Sequence, residues 1–151
     1  MKKVIIGMFL AILPTFASAA YEPERIKAFV SGANGIFEVT GWKQSDNGNV
    51  WVANTSLSNV VLSIDKNQSQ IISYISTSTD ATKAIIRCLA FGHIGVVSKN
   101  DKQRFQLAEV ANSAIEGKES FVTLNDVRFA ANKSKVGGVD VLSCQITPAN
   151  N

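Results

Sequence analysis

Two cysteines, one histidine, two tryptophans and a few closely spaced carboxylates are the residues of this chain whose chemistry could define a site. Cys88 and Cys144 are the only cysteines. In an oxidising compartment an isolated pair is most simply one disulfide. The alternatives, a catalytic thiol or a metal pair, ask for more. A lone exported thiol tends to oxidise, and one histidine cannot complete a tetrahedral zinc site without carboxylates. By the chain-entropy model, a bridge from Cys88 to Cys144 contributes roughly 4 kcal/mol. That is a large share of the about 5–15 kcal/mol by which a domain is stable.

His93 lies in the apolar, glycine-flanked stretch Phe91-Gly92-His93-Ile94-Gly95. A sole imidazole can act as a general base near neutral pH, given a nucleophile beside it. The chain has many serines and threonines but no G-x-S-x-G elbow. The plainer role is a loop or core histidine whose nitrogens bond to backbone. The carboxylate pairs Glu22/Glu24 and Glu116/Glu119 would need to face each other across a cleft to cleave a glycosidic bond. One pair sits near the amino terminus and the other at an expected helix end, so both read as solvated charge.

Trp42 and Trp51 flank Ser45-Asp46-Asn47-Gly48. Asn-Gly between β-rich runs is a strong hairpin signal, because a type I′ turn needs positive φ at both central residues. With Asn47 and Gly48 at the tip, Trp42 pairs with Ala53 and Gln44 with Trp51. Both indoles then share one sheet face as diagonal neighbours. Exposed, they could stack on a sugar or anchor a protein partner; buried, they belong to the core. Trp42, Trp51, Asn47 and Gly48 are therefore the candidate binding residues.

These residues need elements to position them. Lys2-Lys3, the apolar run Val4–Leu13, Pro14 and Ala17-Ser18-Ala19 have the order of a secretory signal peptide. Ten apolar residues cover only about half a bilayer core as a helix. The expectation is a signal at residues 1–19 and one globular domain at 20–151, destined for the bacterial periplasm or secreted, with no membrane span after cleavage. Fifteen basic residues oppose twelve acidic ones. Losing Lys2 and Lys3 leaves the mature chain at about +1, which is no argument for nucleic acid. The basic groups Lys99/Lys102/Arg104 and Arg128/Lys133/Lys135 are interleaved with Asp101 and Asp126. No metal, cofactor or nucleotide-binding pattern is present in the sequence, so no cofactor is expected.

Spacing predicts a first helix over Glu22 to Ser31, with Ile26, Phe29 and Val30 on one face. Strands are expected at 36–43, 49–54, 59–64 and 70–76. Thr79 or Asp80 caps a helix over about 81–91, with Gly92 as its stop. A short strand at 94–98 follows, then a helix from Lys102 to about Glu116 capped by Asp101 and ended by Gly117. Strands are expected at 120–124, 127–131 and 139–147, with a turn at 132–135 and a bulge or close packing at Gly137-Gly138. Strands with inserted helices indicate an α+β fold, a mainly antiparallel sheet with two or three helices. Leu142, Cys144 and Ile146 alternate onto one face, so the disulfide would tie the helix of Cys88 to the last strand. That requires their Cα atoms to lie within about 7 Å.

The functional expectation is a non-enzymatic interaction protein of the bacterial envelope, such as an inhibitor or immunity protein with a protein partner. The alternatives are a small carbohydrate- or lipid-binding periplasmic protein, or a small hydrolase using His93.

Overall fold

The computed structural model describes residues 39–56, 60–65, 70–78 and 80–149. The signal segment and the helix expected at 22–31 lie outside them.

Four short strands form a meander: β1 (Val39–Gln44), β2 (Val50–Thr55), β3 (Val60–Asp65) and β4 (Gln70–Ser76). Two helices follow, α1 (Ala81–Val96) and α2 (Asp101–Ile115). A second meander, β5 (Ser120–Leu124), β6 (Val127–Val136) and β7 (Val139–Pro148), completes the chain. All seven strands join one antiparallel sheet in the order β1-β2-β3-β4-β7-β6-β5. The helical pair thus carries the chain from the middle of the sheet to its far edge, and the returning meander docks β7 beside β4. The fold is α+β with two described helices and one disulfide, as the sequence pattern predicts.

One face of the sheet carries the core. Ala84, Cys88, Phe91, Gly92 and Val96 recur at helical spacing and give α1 one buried stripe. Leu107, Val110, Ala111 and Ala114 do the same for α2. They meet Ile71 and Ile75 of β4, Phe129 and Ala131 of β6, and Leu142, Cys144 and Ile146 of β7. The period of two along β7 decides which residues join them. Cys88 and Cys144 are fully buried and bonded, with Cα atoms 5.8 Å apart.

Capping explains where the helices begin and end. Asp80 accepts from the Lys83 amide at 3.1 Å. At α2 the cap is Asn100 rather than Asp101, since its side chain accepts from the Gln103 amide at 3.0 Å. Asp101 instead opens the helix, where a carboxylate suits the positive end of the dipole. Gly117, at φ 85°, closes α2 with bonds from its own N–H to Ala114 and from Lys118 N–H to Ser113. That pair is the Schellman motif.

Four local expectations are corrected. Gly92 does not stop α1, and 94–98 is not a strand: the helix runs on to Val96. Gly92 and Gly95 serve close approach instead. A Cβ on Gly92 would sit 2.9 Å from the Phe129 ring, and one on Gly95 only 1.9 Å from Ile146 Cδ1. The segment 132–135 is not a turn, because β6 continues through it to Val136, paired with β7 throughout. The turn is Gly137-Gly138, both at positive φ (57° and 83°) between the paired Val136 and Val139. Asn125-Asp126, at φ 51° and 60°, makes the corresponding turn between β5 and β6.

Gly95→Ala is expected to destabilise the protein by about 1–3 kcal/mol in urea unfolding. Adding Ile146→Val, which removes the clashing methyl, should recover part of the loss. An unchanged unfolding midpoint for Gly95→Ala would contradict the close contact. Replacing Cys88 and Cys144 together by Ser should cost about 2–5 kcal/mol in the same assay.

Candidate functional site

The β1–β2 hairpin brings Gln44 opposite Trp51, as the sequence register requires. Its turn is wider than expected. Ser45 N–H donates to Val50 O at 2.8 Å, so four residues form the loop, and only Gly48 among them takes positive φ (72°). The cause is the Asn47 side chain. Its Oδ1 accepts from Ser45 Oγ at 2.7 Å and from Asn49 N–H at 3.1 Å, a side-chain mimic of a turn that leaves Asn47 without positive φ. Gly48 O accepts from Gln44 Nε2 at 2.8 Å. Asn47 and Gly48 thus sit in a self-satisfied polar loop at the outer edge of the sheet.

The register shifts between Thr40 and Lys43, so Trp42 falls in that irregularity rather than opposite Ala53. Its side chain lies outside the described residues. Trp51 faces the helix side, half-buried, and packs against the margin of the core.

His93 occupies the last turn of α1, half-buried, with Nδ1 hydrogen-bonded to Ser98 Oγ. Burial, with a smaller contribution from the Arg104 cation, holds its pKa below the usual imidazole value. Around it runs a polar brace. Asn125 Nδ2 donates to Val96 O (3.0 Å) and Val97 O (3.2 Å), and Gln103 Oε1 accepts from Lys99 N–H at 2.7 Å. Val97 takes the left-handed conformation, φ 53°, which a β-branched residue adopts only under constraint. The imidazole and a hydroxyl do meet here, but the charge acting on the ring is a cation, not an orienting carboxylate. The cluster holds the α1–α2 connection against the β5–β6 turn.

The other sequence candidates do not converge. Glu116 is exposed and pairs with Lys118 at 3.1 Å. Arg128 lies 4.1 Å over the Phe121 ring, and Lys135 pairs with Asp140 at 3.8 Å. Among the described residues no group of three or more His, Cys, Asp or Glu could hold a metal, and no helix is long and apolar enough to cross a membrane.

The feature that sequence reasoning missed is on the sheet face opposite the helices. A groove of about 470 Å³ runs there, lined by Val52 (β2), Ser63 (β3), Tyr74 and Ser76 (β4), Val139 and Val141 (β7) and Val136 (β6). Val52, Val136 and Val139 remain 39%, 48% and 46% exposed, while Val141 and Ser63 are buried. None of these seven residues carries a charge. Burial raises the pKa of the Tyr74 phenol, and among the described residues its hydroxyl has no hydrogen-bond partner. The volume is within the range of small-ligand sites. A signal did exist: Val136, Val139 and Val141 share one face once Gly137-Gly138 is taken as the turn. Placing the turn at 132–135 separated them.

Comparison of the chain with known proteins finds no matching family model, curated sequence or solved structure.

The depressed pKa of His93 sets a sign for stability against pH. The unfolded chain protonates this ring near pH 6.5, by the usual imidazole value of about 6.5, and the folded chain only below that. The contribution is therefore complete above about pH 6.5 and is lost as pH falls through the folded value. Between about pH 7.5 and 5 the urea midpoint of the native protein should drop further than that of His93→Gln. Equal drops would contradict a buried, neutral His93.

Proposed function

We propose that this chain is an exported, non-enzymatic binding protein that takes its ligand or partner on the open face of the sheet. The observation that carries this reading is the groove. It joins five strands into one apolar surface, three of its valines stay well exposed, and its walls hold no charged group for acid–base chemistry. On the opposite face the helices and the disulfide fill the core over β4, β7, β6 and β5, so that side serves stability.

The signal-like amino terminus and the disulfide support an extracytoplasmic destination, the bacterial periplasm or the exterior. A second reading, an inhibitor or immunity protein that meets an envelope enzyme or toxin, is favoured by the β6–β7 tip. There two half-exposed valines flank a tight Gly-Gly turn, a shape suited to insertion into a partner's cleft.

The test is affinity capture from an envelope extract with the oxidised protein, compared with a Val136→Asp/Val139→Asp variant. Both positions are half-exposed beside a turn, so the variant should fold. The native protein is expected to retain a stoichiometric ligand or partner, and the variant to bind it at least about 30-fold more weakly, as for hot-spot residues. A folded variant that binds equally well would remove the open face from the account.

A further inference from the structure

We propose that this chain pairs with a second copy of itself through β5, joining two sheets edge to edge. The pairing is independent of what the open face binds.

The two edges of the sheet are unlike. β1 and β5 are its outer strands. An exposed edge strand is a template for another chain, and proteins blunt it with bulges, prolines or charged side chains. β1 has the register irregularity between Thr40 and Lys43, and the Lys43 charge itself. β5 reads Ser120-Phe121-Val122-Thr123-Leu124, with no charge, no proline and an unbroken register against β6. Phe121 is 58% exposed there, and Thr123 is exposed beside it.

The turn after β5 decides which backbone groups face outward. Asn125 and Asp126 both take positive φ, so the turn is type I′ and the flanking Leu124–Val127 pair is hydrogen-bonded. Hydrogen-bonded and non-hydrogen-bonded pairs alternate along an antiparallel ladder. Ser120, Val122 and Leu124 therefore direct their N–H and C=O groups at β6, while Phe121 and Thr123 direct theirs away from the sheet. An antiparallel second β5 satisfies all of these outward groups when Val122 lies opposite its own equivalent. Phe121 of each copy then bonds with Thr123 of the other. A slip of one residue sets outward groups against inward ones. A slip of two sets Phe121 against the turn, or Thr123 against Glu119.

The side chains agree with this register. Val122 and Leu124 pack against the helix-side core, so Phe121 and Thr123 lie on the other face. There the two Phe121 rings become diagonal neighbours, within aromatic reach. At the flanks, Lys118 of each copy comes beside the Asn125-Asp126 turn of the other. Asp126 has no ion-pair partner among the described residues. The contact of Lys118 with Glu116 joins two exposed groups and holds it only weakly. The hydrogen-bonding row and the flanking charges of β5 thus match β5 itself.

The experiment is sedimentation equilibrium of the oxidised protein over a wide concentration range, with amide exchange followed by NMR. The native protein is expected to pass from monomer to dimer as concentration rises, and the Phe121 and Thr123 amides to gain protection in step. Thr123→Pro removes an outward N–H and leaves the ladder to β6 intact, so it should fold and lose the dimer. Phe121→Lys, at an exposed position, gives β5 the charge that edge strands commonly carry and should also leave a monomer. Lys118→Asp should weaken the dimer about fivefold at low salt, the worth of two exposed ion pairs. A native protein that stays monomeric at its highest soluble concentration would overturn the proposal. So would a dimer that persists in folded Thr123→Pro or Phe121→Lys, or protection gained on β1 and not on β5. A monomeric chain that captures an extended strand of another protein on β5 would overturn the second copy as the occupant.

Discussion

The close seating of α1 on the centre of the sheet is the constraint from which the rest of the structure follows. It has two parts. The disulfide joins Cys88 in the middle of the helix to Cys144 in the middle of β7. One and two turns further on, Gly92 and Gly95 let the helix backbone come down on Phe129 and Ile146, closer than any side chain would permit. Glycine inside a helix costs about 1 kcal/mol relative to alanine, so two within four residues weaken α1 in isolation. The bridge and the tight packing offset that weakness. Because β7 pairs with β4 on one side and β6 on the other, fixing α1 on β7 also holds the first meander against the second.

Among the described residues, both helices sit on one face of the sheet and none on the other. The period of two then sorts the side chains of every strand. In β7, Leu142, Cys144 and Ile146 go to the helices, and Val141, Ser143 and Gln145 to the open face. Ser143 is buried there and is bonded to Ser134 Oγ at 2.8 Å, so part of this surface is polar but satisfied. The valines around Tyr74 are the apolar part of that face. The two faces thereby differ: one is bridged and filled, while the other is grooved and partly exposed, which makes the open face the proposed binding surface.

Much of the architecture was legible in the residues. The antiparallel α+β fold, the disulfide and its geometry, the Asp80 cap, the Gly117 stop and the Gln44–Trp51 register all followed from local chemistry that the tertiary structure respects. Several misreadings share one cause. Gly92, Gly137 and Gly138 were each open to two uses, helix stop or close contact, turn or bulge. Only the partner across space decides between them, and Phe129 and Ile146 are far from α1 in sequence. The same ambiguity hid the candidate site. With 132–135 taken as a turn, β6 ended too early to bring Val136 beside Val139. The attention given to Trp42 and Trp51 came from residue type alone. Asn47 closing its own turn and the irregularity after Thr40 are details that no pattern of hydrophobic residues carries.

The proposed division between the faces is tested most directly by methyl spectra of the oxidised protein, labelled at valine and recorded with and without the partner retained from the envelope extract. The account predicts that the methyls of Val52, Val136, Val139 and Val141 shift on binding, while those of Val96, Val110 and Val127 in the helix-side core stay in place. Shifts confined to the core valines would contradict it, because binding would then fall on the face assigned to stability.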